Sequence, residues 1–368
     1  MESSTDPSDR LLDVPRTHPP AAQAYLEAVL AWHFSEDTGS PFWLRAAPRL
    51  GFDPITDIRS YDDLRRFPNL VDELRDAPVE DLVPRGYGSP PPVPRVFESG
   101  GTTGAAKRTA QLPDWLEQVT RWQVEDFTAG GFVAGAGLLC MMPGGPHGVG
   151  HFDRAVAERL GSVFHAIDLD PRWVKKLALR GDAAAVATIA DYVGHVLDQA
   201  RDILRTQTVA NLHATPPLLE AIAGDDELTA LVNRRIRYIL LSGAHVDADT
   251  MDLFRGIFPG ADIAVAFGST MILSQAATRI HGDALIFDPR SPYVVFWVVD
   301  PDTGRQVDYG ERGRVVMNHL SKGMFIPNNL ERDTAIRMPG PAGQIGDSVS
   351  EVAPVAVFDG APVIEGVY

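Results

Sequence analysis

The sequence predicts an α/β protein: parallel-rich sheets sandwiched by helices, followed by a smaller antiparallel β part. Three observations predict it. Through the middle of the chain short apolar runs alternate with helical stretches, the pattern of βαβ units. From about Ala284 the texture changes to two β-rich runs separated by turn residues. The end is glycine- and proline-rich with short strands.

In chain order, the first twenty residues are polar and proline-rich and read as a flexible tail. "AQAYLEAVLAWHF" and "DWLEQVTRWQVEDF" have helical spacing, and Pro90–Pro92 stiffen the approach between them as extended chain. "GLLCMMP" is a short apolar run, and the helix after it is placed at "AVAERLG". "SVFHAIDL", "TVANLHA", "IRYILLSG" and "DIAVAFGS" read as strands. Asp182 to Arg205, "PPLLEAIAG" and "DADTMDLFRGIF" read as helices, with Asp247 and Asp249 as start signals for the last.

At 368 residues the chain is too long for one small core. Lys+Arg 33 against Asp+Glu 49 gives a net charge of −16, which repels polyphosphate backbones and argues against nucleic-acid partners. One cysteine, Cys140, excludes an internal disulfide framework and any multi-cysteine metal site. No segment has the apolar length of a membrane span, and the first residues lack the apolar core of a signal peptide, so a soluble, cytoplasmic protein is expected.

"FESGGTTGAAKR" is the stretch that points to chemistry. Gly100, Gly101 and Gly104 remove backbone restraint, so amides can converge on an anion. Thr102 and Thr103 add hydroxyl donors with little bulk, and Lys107 adds a point charge. The alternative is a surface turn. The spacing fits neither G-x-x-x-x-G-K-[ST] nor G-x-G-x-x-G, and no G-x-S-x-G elbow is present.

"ESGGTTGAAK" resembles the phosphate loop of the adenylate-forming (ANL) superfamily, and further segments follow in family order. "LHATPPLLEAI" is similar to the strand-to-helix step, "YILLSGAHV" to the stretch flanking adenine, and "AVAFGSTM" to the "Y-G-S-T-E" motif. "DPDTGRQVDYGERGRVVMNHL" resembles the family's strand pair, and "LERDTAIR" the segment with the ribose-binding aspartate. "IGDSVSEV" falls at the hinge. The texture is similar to the phenylacetate-CoA-ligase-like branch, and to truncated members of phenazine-type antibiotic pathways. The resemblance implies a large N-terminal ANL domain with the mobile C-terminal domain absent. It implies a tail over 1–20, nucleotide- and carboxylate-binding lobes over 21–283, and a β-rich subdomain over 284–368 ending at the truncated hinge.

What the resemblance implies for chemistry is ATP-dependent adenylation of a small carboxylic acid, an aromatic one in secondary metabolism. Ser99, Gly100, Gly101, Thr102, Thr103, Gly104 and Lys107 would hold the β- and γ-phosphates, and Thr270 the α-phosphate. Phe267, with Gly268 and Ser269 beside it, would stack on adenine; Gly243, Ala244 and His245 would line it; Asp333 would hold the ribose. His147 and Gly148 would face the acid. ATP and Mg²⁺ are the expected cofactors, yet Met271 occupies the place of the magnesium-binding glutamate, and a thioether is a poor ligand for a hard cation. The product would pass to a downstream reductase or acyl acceptor enzyme, with a homodimer left open. No lysine follows Asp347 for a second half-reaction.

Other readings are weighed beside it. A degenerate member would bind a ligand or partner without turnover. An acyl-protein-synthetase-like transferase would need Cys140, which lies in an apolar run far from the C-terminus. His147 and His151 are four apart, but Gly148 and Gly150 argue against a helix there and against a shared metal.

Overall fold

The computed structural model describes residues 9–99, 106–282, 284–355, 357–358 and 361–362. They form two compact units. The first comprises residues 9–99, Lys107–Val119 and Gly268–Ala353; the body of the second is Thr120–Phe267.

The first unit begins with helical segments. The longest, α1 (Ala22–Phe34), buries Tyr25, Leu26, Val29, Leu30 and Phe34. Leu12, in the polar N-terminal stretch, is also buried. The short strands β1 (Arg95–Glu98) and β2 (Arg108–Gln111) pair antiparallel. Helix α2 (Pro113–Ala129) carries the chain from the first unit into the second.

The second unit holds the predicted parallel sheet. Its strands are β3 (Gly137–Met141), β4 (Phe164–Ala166), β5 (Val209–Ala214), β6 (Tyr238–Leu241) and β7 (Asp262–Val265), in the order β4-β3-β5-β6-β7. All four pairings are parallel. The crossovers are α3 (Gly148–Arg159), α4 (Pro171–Arg180), α5 (Ala183–Thr206), α6 (Pro216–Ala223), α7 (Asp226–Arg235) and α8 (Ala248–Ile257). Alternation along the strands sorts the core into two faces. Leu139, Met141, Leu212, Ala214, Ile239 and Leu241 pack with Ala200 and Leu204 of α5 and Phe254 of α8. Leu138, Tyr238 and Leu240 pack with Phe127, Phe132 and Val156. Truncating a fully buried leucine such as Leu212 to alanine would cost about 2–5 kcal/mol.

Four of these helices start on an aspartate whose carboxylate accepts backbone N–H groups: Asp170, Asp182, Asp225 and Asp247. Each cap contributes about 1 kcal/mol. Part of the chain's excess acid therefore sits where the helix dipole favours it.

The first unit also holds a small pair, β8 (Gly268–Ser269) and β9 (Ser274–Gln275), then β10 (Ala277–His281), β11 (Ala284–Asp288), β12 (Val294–Val299), β13 (Arg312–Leu320), β14 (Phe325–Met338) and β15 (Ser348–Pro354). The last six form one sheet, ordered β10-β11-β15-β14-β13-β12. β12 and β13 pair antiparallel, as the two β-rich runs predicted, and β14 pairs antiparallel with β13. Against this sheet packs an aromatic cluster in which Phe34, Trp43 and Phe67 all contact Phe325.

Candidate functional site

The glycine-threonine loop is the connection of the β1–β2 hairpin. Gly100, Gly101, Thr102, Thr103 and Gly104 lie outside the described residues; the residues at its base are described. Ser99 N–H donates to the Lys107 carbonyl at 2.9 Å, and Lys107 N–H donates to Ser99 Oγ at 2.9 Å. One step further out, Arg108 pairs with Glu98 at 2.8 Å. The serine thus pins the two ends of the loop to each other.

Lys107 points at a buried acid. Its Nζ lies 3.6 Å from Oε2 of Glu331, on β14, while Oε1 accepts from Ser269 Oγ at 2.8 Å and from Asn329 Nδ2 at 2.7 Å. Burial pushes the Glu331 pKa up, but Lys107 and the two hydrogen bonds outweigh it, so the carboxyl sits below its ordinary range. Ser269 Oγ also accepts the Met271 N–H at 3.2 Å. Met271 itself is 1% exposed, whereas Thr270 is half-buried.

Two backbone features place this cluster. Gly268 pairs with Gln275 across the β8–β9 turn, and a Cβ on Gly268 would stand 2.4 Å from the Ser274 carbonyl oxygen, so only glycine allows the turn to close. On β14 the register slips: Val316 pairs with Leu330 but Arg314 with Thr334, so β14 carries two extra residues. This bulge contains Glu331, Arg332 and Asp333, and the Arg314 guanidinium donates to the freed Glu331 carbonyl at 2.5 Å. Asp333 is half-buried within it.

In the second unit the strand order reverses between β3 and β5, the switch point at which open α/β sheets bind ligands beyond their C-terminal strand ends. His147 is the residue before α3, and the helix begins at Gly148, which is buried. The expectation that Gly148 and Gly150 break helix here is corrected. A Cβ on Gly150 would lie 3.1 Å from both the Gly144 Cα and the Pro143 carbonyl, so glycine lets the first turn of α3 press against the segment leaving β3. Thr215, leaving β5, is fully buried with Oγ1 unpartnered among the described residues. Gly243 and His245 are exposed and Ala244 is half-exposed; Phe267 is half-buried, outside the apolar core.

Below the switch point runs a hydrogen-bonded chain. Cys140 Sγ donates to Asp153 Oδ2 at 3.0 Å, His213 Nδ1 meets the same oxygen at 2.8 Å, and His213 Nε2 meets Ser242 Oγ at 2.8 Å. Burial first, then Asp153, pushes the Cys140 thiol up, so it stays protonated and is no nucleophile.

No family model and no curated protein matches the sequence. Solved structures do match in shape. An open conformation of 2-hydroxyisobutyryl-CoA ligase, in complex with 2-HIB-AMP and CoA, has a TM-score of 0.62 at 15% identity over 94% of this chain and 71% of that one. The same ligase in its thioesterification state gives 0.59 at 16% identity over 94% and 70%. Its postadenylation state with 2-HIB-AMP gives 0.57 at 17% over 93% and 68%. The chain shares its fold with 2-hydroxyisobutyryl-CoA ligase.

On this fold the structure joins Ser99 to Lys107, and Lys107 to Ser269 through Glu331. It places Asp333 two residues from that acid. The sequence reading missed Glu331, Asn329, Thr215 and the Asp153–His213–Ser242 chain. It also left open what Asp347 does. Asp347 is buried, salt-bridged to Arg337 at 2.8 Å, and accepts the Val298 N–H at 3.0 Å, so it fixes the end of the β sheet.

Proposed function

We propose that this chain activates a small carboxylic acid with ATP, giving an acyl-adenylate and pyrophosphate. One observation carries the reading. Lys107, at the end of the glycine-threonine loop, and Ser269, in the Gly268–Met271 turn, meet on a single buried carboxylate, Glu331. These are the two segments whose sequences resemble the phosphate-handling motifs of adenylate-forming enzymes.

The chemistry asks little of the protein beyond position and charge. The acid is ionised near pH 7, so no base is needed. A carboxylate oxygen attacks the α-phosphorus, the new O–P bond forms, and the α–β bridging bond breaks with its electrons leaving on pyrophosphate. On this reading Lys107, with Ser99 and the amides and hydroxyls of Gly100–Gly104, holds the β- and γ-phosphates, and Thr270 donates to the α-phosphate as charge develops. Phe267 stacks on adenine, lined by Gly243, Ala244 and His245, and Asp333 accepts from the ribose hydroxyls. The acid occupies the switch-point crevice of the second unit by His147 and Gly148. The reading extends to an aromatic acid in secondary metabolism and to a partner enzyme as acceptor, both supported by the sequence resemblance alone.

ATP–pyrophosphate exchange over a panel of aryl, hydroxy and short aliphatic acids tests the proposal. Exchange with at least one acid is expected, and its loss in Lys107→Ala. Tight nucleotide binding without exchange for any acid would favour a second reading, a ligand-binding protein without turnover, which the buried Met271 supports.

A further inference from the structure

We propose that Glu331 is the carboxylate that holds the nucleotide-bound divalent cation in this chain, releasing its ion pair with Lys107 as the phosphates arrive. The inference rests on the ATP reading above and deepens it. Its starting point is position 271. Met271 offers sulfur where the resembling motif has a carboxylate, and it is buried, so no oxygen at that position reaches a ligand. Glu331 is one hydrogen-bonded step away: Ser269 Oγ takes the Met271 N–H and donates to Glu331 Oε1.

The donor set around Glu331 fits a hard cation. Asn329 Nδ2 donates to Glu331 Oε1, which fixes the orientation of the amide, since the flipped form would set two oxygens against each other. The other end, Asn329 Oδ1, is fully buried and has no partner among the described residues. Among the described residues, Glu331 Oε2 pairs with Lys107 Nζ at 3.6 Å, an ion pair beyond hydrogen-bond reach. Two oxygens on residues two apart along β14, one charged and one unsatisfied, thus remain uncommitted among the described residues, and the cation paired with the carboxylate is the partly exposed Lys107. Lys107 is 26% exposed and can swing to a phosphate. When bound, the divalent ion would screen the polyphosphate. What the chain supplies is a carboxylate already ionised and an amide oxygen that has no other partner. The Glu331 charge would otherwise be left buried without its cation once Lys107 turned to the phosphates, which is an unfavourable cost. Exchange of one cation for another removes that cost.

The test measures binding, not turnover. A non-hydrolysable ATP analogue is titrated into the protein by calorimetry, without cation and with Mn²⁺, and the bound Mn²⁺ is followed by electron paramagnetic resonance. In the wild type Mn²⁺ should tighten analogue binding. Glu331→Gln should lose at least about tenfold of that tightening, the size of one charge-assisted contact, and should bind the cation-free analogue more tightly than the wild type, because no buried charge is left behind when Lys107 turns. Equal Mn²⁺ dependence in wild type and Glu331→Gln would overturn the proposal. So would a wild type that binds the analogue with no cation effect, and in that case the ATP reading survives. A wild type that binds no analogue at all overturns both. If Glu331→Gln does not fold, Glu331→Asp replaces it: the shortened carboxylate should weaken the Mn²⁺ effect, and an unchanged effect counts against the proposal.

Discussion

Each unit contains a buried polar cluster, and the two differ in one respect. In the second unit, Cys140, Asp153, His213 and Ser242 are 1%, 1%, 0% and 9% exposed, and none has a buried polar atom without a partner. In the first unit, Lys107 is 26% exposed, and the Asn329 oxygen is buried without a partner among the described residues. A closed network has spent its hydrogen-bonding capacity on packing: it ties α3 to β3, β5 and β6. An open one keeps capacity for a molecule that is not part of the chain. Perturbed ionisable groups occur in both, so it is the unspent donor or acceptor, rather than burial, that marks a binding site.

Breaking the closed network should give the largest effect. Asp153→Ala leaves the His213 ring N–H and the Cys140 thiol buried with no acceptor. The expected loss is about 3–5 kcal/mol, read by urea unfolding. Glu331→Gln should cost far less, about 1 kcal/mol, because Lys107 can turn to water. Equal losses for the two variants would erase the distinction between closed and open.

A second buried region, around His33 and His319, sharpens the comparison through pH. Burial lowers the His33 pKa to about 4 and the His319 pKa to about 3, each against a backbone hydrogen bond that raises it. Both rings are therefore neutral in the folded chain at neutral pH. The unfolded chain takes up their protons near pH 6.5, and the folded chain does not. Stability attributable to these rings is thus complete above about pH 6.5 and falls as pH drops towards 4. The slope is up to about 1.4 kcal/mol per pH unit for each histidine. Unfolding free energies between pH 7 and 4.5 measure it, and His319→Gln should show the shallower slope. Parallel slopes would mean that His319 is accessible to protons in the folded state.

Much of the fold was legible because its signals are local. The α5 helix spans Ala183–Thr206 where Asp182 to Arg205 was expected, and β5, β6 and β12 fall inside the apolar runs that predicted them. Helices α4 and α7 were overlooked although both carry the aspartate cap that was read correctly before α8. The start of α3 was misread because glycine was weighed by propensity, whereas Gly150 answers a contact from the segment after β3 that is not visible in its own neighbourhood. At the candidate site, Lys107 and Ser269 were found because they sit in recognisable motifs. Glu331 was not, because "LERD" offers two acids and only the bulge on β14 decides which one is buried. Asp153, His213 and Ser242 are 60 and 29 residues apart, and only the parallel sheet brings them together.

The open cluster should respond in ligand affinity more than in stability. Lys107→Ala removes one charge from the phosphates and should weaken ATP binding by about tenfold, measured by calorimetry, with a smaller loss of stability.

Ser99→Ala should have the smallest effect, and it separates positioning from charge. Ser99 Oγ accepts the Lys107 N–H, while its own backbone N–H still bonds the Lys107 carbonyl when the hydroxyl is gone. One neutral hydrogen bond in a half-buried place is worth about 0.5–1.5 kcal/mol. The hairpin base therefore survives in Ser99→Ala, and Lys107 keeps its charge. ATP affinity should fall only about two- to fivefold if the serine does no more than hold the loop's ends. A loss as large as that of Lys107→Ala would show that the Ser99 hydroxyl itself touches the nucleotide. The open character of the first unit's cluster would then extend from Glu331 to the root of the glycine-threonine loop.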